Sequence, residues 1–200
     1  MMTAALTGAT IRQLRHWRNT RLLEPEYSTG TRVFYSYRDI VALRTFVYLR
    51  ETHSLQKIRK AITGLRSLGQ PGHLSRYRLV SQGSTIVLTE DAEDVDLLNK
   101  PGQTLARFDD IARPFDTRDG VRIRDLAQPT AHISIDPETQ GGHPVIAGTR
   151  VPFEAVASLV ADGVPAEDIK LFYPTVTTAA ARSAVEFADY VSGFDQVAAA

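Results

Sequence analysis

The sequence predicts an α+β protein, mostly helical, built of three modules. These are an N-terminal winged helix-turn-helix over 1–70, a small β-rich module over 71–128, and a C-terminal β-hairpin carrying three helices over 129–200. Three observations lead there. Apolar residues recur at helical spacing in the first third and again after Pro152. Turn formers cluster at Gly69-Gln70-Pro71-Gly72 and mark a boundary. Charge is segregated although the net charge is zero. Residues 1–78 hold fourteen Lys and Arg against four Asp and Glu, 79–128 hold six against ten, and 129–200 three against nine. A basic head on an acidic body predicts an anionic partner for the head.

Residues 10–23, TIRQLRHWRNTRLL, predict a helix with Thr10 as its N-cap. Ile11, Leu14 and Trp17 form its apolar stripe, while Arg12, Arg15, His16 and Asn19 stand opposite, with Arg18 at the flank. The preceding ALTGA is a short apolar piece ending in a glycine turn, which completes a helix-turn-helix pattern. Pro25 stops the helix, Gly30 permits a sharp turn, and Arg32-Val33-Phe34-Tyr35 suits a strand, so this stretch reads as a wing. Ser36, three residues before Asp39, is placed to cap a helix through Ile40, Val41, Leu43, Phe46, Val47 and Leu49. Another helix follows Ser54 through Leu55, Ile58, Ile62 and Leu65.

In the middle module, 77–80 and 85–88 read as strands joined across 81–84. The acidic run EDAEDVD and turns at Lys100-Pro101-Gly102 and Thr117-Arg118-Asp119-Gly120 follow. Beyond it, His132-Ile133-Ser134-Ile135 and Pro144-Val145-Ile146-Ala147 read as strands. Pro152 opens a helix that ends at Gly163, Pro165 opens a short second one through Phe172, and Thr177 or Thr178 caps a third.

A helix entering the major groove needs base-reading side chains beside phosphate anchors. Arg12, Gln13, Arg15, His16 and Arg18 supply both kinds. Arginine pairs with guanine and glutamine with adenine, while His16 and Tyr27 reach phosphate oxygens. Thr10 at the helix start, Thr29, Thr31 and Arg32 on the wing, and Tyr35 behind it complete the expected DNA-binding set. The stretch LTGATIRQLRHWRNTRLLEPE, the wing, and YSYRDIVALRTFVYLRE together resemble MerR-type regulators over the first third of the chain. That resemblance implies a groove-reading second helix, a wing gripping the backbone, and a homodimer on palindromic operator DNA. The sequence departs from it in a short first helix, in Arg32 standing one place early relative to Tyr35, and in lacking the long dimerising helix with its effector pocket.

The loop GGHPVIAGTRVP, residues 141–152, has three glycines and a histidine, as catalytic loops often do. It lacks the Lys-Ser/Thr that a P-loop needs after its last glycine, and its glycines are out of dinucleotide-binding order. No nucleophile or carboxylate announces itself as a partner for His143. The loop therefore reads as a backbone-shaping turn, with Thr149 bracing it and Arg150 tying it to carbonyls or to Asp136. Histidines 16, 53, 73, 132 and 143 lack ligand spacing, and with no cysteine a metal site is not expected. No cofactor and no enzymatic activity are expected. The absence of a secretory h-region or a membrane-length apolar run predicts a cytoplasmic protein.

Residues 132–191 resemble a small bacterial domain known as domain of unknown function 433, through GG-x-P-x-I-x-G-T-R-x-P and the later Tyr173-Pro174 turn. Members of that family resemble antitoxins whose partners are PIN-like ribonuclease toxins. A MerR-like head on this domain resembles a VapB-type antitoxin. The resemblance implies a cytoplasmic repressor of its own operon that neutralises such a toxin, with Arg150 and Arg182 as toxin-contact candidates. The competing expectation is a MerR-type regulator without a toxin, using 71–200 for dimerisation or ligand sensing.

Overall fold

The computed structural model describes residues 1–29, 32–51, 53–67, 78–82, 85–90, 93–96 and 111–197. Helices predominate, with small antiparallel sheets between them, as an α+β reading requires. The head comprises α1 (Met2–Thr7), α2 (Ile11–Asn19), strands β1 (Tyr27–Thr29) and β2 (Arg32–Phe34), α3 (Tyr37–Arg50) and α4 (Leu55–Ser67). A three-stranded antiparallel sheet follows, with β3 (Arg78–Gln82), β4 (Thr85–Glu90) and β5 (Glu93–Asp96) in that order. Then come the hairpins β6 (Phe115–Asp116) with β7 (Arg122–Ile123), and β8 (Ile133–Ser134) with β9 (Val145–Ile146). Helices α5 (Phe153–Ala161) and α6 (Thr178–Val197) complete the chain.

Capping sets the helix starts. Thr10 accepts from the Gln13 amide while Gln13 accepts from the Thr10 amide, a reciprocal pair that fixes the first turn of α2. Ser36 and Asp39 repeat the device at α3. The α2 helix ends at Asn19, short of the expected residue 23. Arg21 takes a left-handed φ of 51°, and Thr20 turns its hydroxyl back onto the His16 carbonyl. Leu22 and Leu23 are thereby swung into the core.

The other expectations divide. All six apolar residues expected on α3 are buried. The acidic run holds a third strand, β5, pairing Val95 with Leu88 and Asp94 with Thr89, which periodicity alone did not reveal. The second C-terminal helix is instead a single 3-10 turn over Ile169–Leu171. Pro165 and Pro174 leave too little chain between them, and the residue before a proline disfavours α geometry. The C-terminal module therefore has two α-helices rather than three. Pro152 stands at the N-cap of α5 rather than its first helical position, and Thr177 caps α6 by accepting from the Ala180 amide. The turns at 69–72 and 100–102 lie outside the described residues, as does the turn after β3 at 83–84.

Two apolar cores run through the protein, and each draws on all three segments of the chain. In one, Trp17 and Phe46 meet edge-on at 6.0 Å, packed with Leu14, Leu43, Phe115, Ile123 and Phe194. The other joins Leu6, Ile40 and Val41 of the head to Leu126, Ile146, Phe153 and Phe187. The six-residue α1 is too short to persist alone. It lies against α3 and α6, with Ala4 and Ala5 essentially unexposed.

Arg44 of α3 is wholly buried and donates to five carbonyls, those of Leu6, Ile111, Ala112, Arg113 and Arg124. Its guanidinium also sits 5.0 Å from the centre of the Phe115 ring. Burial pushes its pKa down to about 10, yet an arginine remains a cation at physiological pH. Replacing Arg44 with Met keeps the stem but removes a donor from five carbonyls, of which, among the described residues, only that of Ala112 is seen to keep another, the Leu126 amide. The expected cost is about 3–5 kcal/mol, the scale for removing one side of a buried charged network. Lysine should rescue little of it, because an ammonium cannot reproduce the planar fork. Urea unfolding of the two variants checks this.

Candidate nucleic-acid interface

The recognition face begins with the packing of α2. Leu14 and Trp17 are buried and Ile11 partly so, which turns Arg12, Arg15, His16 and Asn19 outward. Of the residues expected on this face, the structure brings Arg12, Arg15 and His16 together in solvent, with Arg18 half-buried. Thr10 and Gln13 are placed differently. Each is engaged in capping the other, and Gln13 lines a small polar cleft with Gly8, Arg50, Arg118 and Asp119. Their first task is to start the helix.

Sequence reading missed Arg59 of α4, which reaches across to the same face. It approaches His16 Nε2 at 3.0 Å and Thr20 Oγ1 at 3.4 Å. A guanidinium only donates, so His16 Nε2 accepts in this contact and its ring proton sits on Nδ1. The helical spacing of α4 placed Ile58 in the core correctly, but which helix faced its exposed side was a tertiary matter.

The wing is a two-stranded ribbon with Tyr27 opposite Phe34, Ser28 opposite Val33, and Thr29 opposite Arg32. Thr29 and Arg32 thus form the register pair nearest the tip, whose Gly30 and Thr31 lie outside the described residues. The base of the ribbon is held by one buried carboxylate. Asp39 Oδ2 accepts from the Glu26 amide at 3.0 Å and the Ser36 amide at 2.9 Å, so a single side chain joins the chain entering β1 to the chain leaving β2. Arg38 pairs with Glu26 at 3.3 Å beside it. Tyr27 and Phe34 are both more than half exposed, an aromatic pair that no folding requirement explains. Tyr35, expected at the DNA, is partly buried against both cores, and burial raises its phenol pKa.

The glycine-rich loop has a structural role. Gly142 takes φ 83°, and a Cβ there would meet Tyr37 at 2.7 Å. Only glycine lets the loop close on the first residue of α3. Thr149 donates to the Ile146 carbonyl and accepts from the Val151 amide, the expected brace. Arg150 differs from expectation: its carbonyl, not its guanidinium, holds the loop, accepting from Gln140 Nε2 at 3.3 Å, and its side chain is exposed. Arg182, also exposed, pairs with Glu167 at 2.6 Å. His143 does have a carboxylate partner, Glu154, at 2.9 Å; this residue stands on the first turn of α5, eleven positions away, where no local motif marked it. Among the described residues no group of three His, Asp or Glu is positioned to hold a metal ion, and no helix is long and apolar enough to cross a membrane.

A capped basic helix, a ribbon clasped at its base, and two following helices define the head as a winged helix-turn-helix. Residues 2–65 match the MerR HTH family regulatory protein family, and a head of that kind points to DNA-binding regulation. Residues 133–188 match a second family, described as protein of unknown function (DUF433). No curated protein matches the chain. Among solved structures, the crystal structure of Rv2018 from Mycobacterium tuberculosis is similar at a TM-score of 0.55. It is 16% identical and the match covers 92% of this chain and 94% of that one. The similarity is one of fold, and it extends across the head and the C-terminal module together.

The His143–Glu154 pair generates a pH test. The hydrogen bond to Glu154 raises the imidazole pKa above its ordinary 6.5, against a smaller opposing effect of burial. A raised folded-state pKa stabilises fully below the unfolded value and is lost as pH rises through the folded one. An NMR titration of His143 should show the elevated midpoint, and Glu154→Gln should lower it. The stability gap between wild type and Glu154→Gln should close as pH rises through that midpoint. A gap that widened with pH would contradict the assignment.

Proposed function

We propose that this chain is a cytoplasmic DNA-binding repressor that acts as the antitoxin of a type II toxin–antitoxin pair. It binds the operator of its own operon as a homodimer and holds a PIN-like ribonuclease inactive. Its role is binding, with no catalytic step, no cofactor and no metal of its own.

The observation that carries the DNA part is the outward stripe of Arg12, Arg15 and His16 on α2, beside a wing held by Asp39. Its cations stand on a basic head, while the acidic residues concentrate in the remainder of the chain. Arg12 and Arg15 are one turn apart and offer forked donors to guanine edges or phosphates. Arg59, touching His16, adds a cation at the margin. The antitoxin part is supported by the resemblance of residues 132–191 to an antitoxin-like domain, joined here to a DNA-binding head; the family that residues 133–188 match is described as of unknown function.

Replacing Arg15 with Ala should weaken operator binding by about 1–3 kcal/mol if the residue reads a base, with relaxed preference at one position. If it grips a phosphate, the salt dependence of log K should flatten by about one unit. Titrating the chain's own promoter fragment at several salt concentrations measures both. For the toxin, the PIN-like ribonuclease encoded in the same operon should stop cleaving RNA on stoichiometric addition of this chain. Continued cleavage at excess would leave a plain DNA-binding regulator.

A further inference from the structure

The connection from Asp162 to Thr177 between α5 and α6 is long, but it is a built structure. Ile169 and Val176 are buried and anchor it at two points. Hydrogen bonds tie the Asp168 amide to Pro165, Leu171 to Asp168, Phe172 and Tyr173 to Ile169, and Val176 to Tyr173, all at 2.9–3.0 Å. Between the anchors this frame holds two apolar side chains in solvent, Leu171 at 73% exposure and Phe172 at 55%. Their backbone is already ordered, so covering them would recover apolar area with little further loss of chain entropy.

The surroundings specify the occupant. Asp162, Glu167 and Asp168 lie on the same connection against Lys170, and Arg182 is taken up by Glu167 at 2.6 Å. The module beneath holds three Lys and Arg against nine Asp and Glu. With Glu167 already paired to Arg182, a second copy of this face would set Asp162 and Asp168 against their own counterparts with Lys170 as the remaining cation of the connection, which disfavours self-association. A partner with an apolar recess in a basic surface is complementary. A ribonuclease offers a basic surface, because it must hold a polyanionic backbone.

We infer that Leu171 and Phe172 are the docking knob of this chain, and that the basic RNA-binding face of the ribonuclease is what they engage. The inference rests on the antitoxin reading and refines it. Neutralisation then occurs by covering the RNA groove with an acidic module, and Arg182 acts by orienting Glu167 at the rim rather than by entering an active site.

The test uses the full-length chain, a cleavage-inactive form of the PIN-like ribonuclease from the same operon, and calorimetric titration at low and high salt. The double variant Leu171→Ala/Phe172→Ala should bind the ribonuclease at least about tenfold more weakly, as expected for central apolar anchors. Its melting temperature and its affinity for promoter DNA should match wild type. Raising salt should weaken the wild-type complex. Wild-type binding with an equally tight double variant would overturn the docking site and leave the antitoxin reading standing. A double variant that passes from dimer to monomer in sedimentation would also overturn it, by assigning the knob to self-association. Failure of the wild type itself to bind would remove both.

Discussion

A positive charge with no water around it organises this protein. Arg44 enters the interior from α3, and among the described residues its donors are met by main-chain carbonyls rather than by a carboxylate. Desolvating a cation is costly unless every donor is satisfied and nearby dipoles converge on it. Here those dipoles come from the end of α1, from 111–113 and from Arg124, all distant from Arg44 in sequence. The guanidinium therefore acts as a fixed node where helix α3 of the head, the base of the middle segment and the approach to the C-terminal module must meet at once. Geometry that satisfies it leaves little freedom elsewhere.

The same junction joins a basic head to an acidic module through contacts that are mostly not ion pairs among the described residues. Tyr190 of α6 donates to the Ala5 carbonyl at 3.0 Å, and Arg124 lies over the Tyr190 ring at 4.4 Å while pairing with Glu186 at 2.8 Å. Apolar burial and carbonyl capping do the joining. Exposed cations lie on α2, and acidic residues line the α5–α6 connection. In the proposed function DNA and the protein partner meet opposite signs of charge, on parts joined by the same two apolar cores.

Much of this was readable from local pattern. Thr10, and Ser36 with Asp39, announced their helices because capping depends on residues close in sequence. The stripe of Leu14 and Trp17 gave away the outward face of α2 for the same reason. Reading failed where a residue's partner is distant in sequence. Arg44 looked like one more cation of a basic head, although the carbonyls it satisfies lie up to 80 positions away. The strand at Glu93–Asp96 owes its form to pairing with β4 rather than to alternation of its own. Gln13 was read as a groove contact, and its reach back to the Thr10 amide was not anticipated. The glycines of 141–142 were recognised as a turn, but not that Tyr37 fills the space a side chain would need.

The shortest helix has a bearing on how the molecule comes into being. The last carbonyls of α1 find no partner within six residues; Arg44 takes that of Leu6, and Tyr190 takes that of Ala5 across 185 positions of chain. Helix α1 is therefore finished in part by α6, far along the chain. Until the C-terminal helix has been synthesised and has docked, the helix-turn-helix lacks part of its own scaffold. A chain lacking the C-terminal helix keeps the sequence of α2 without part of the support that orients it. The start of the fold is thereby complete only when its two ends have come together.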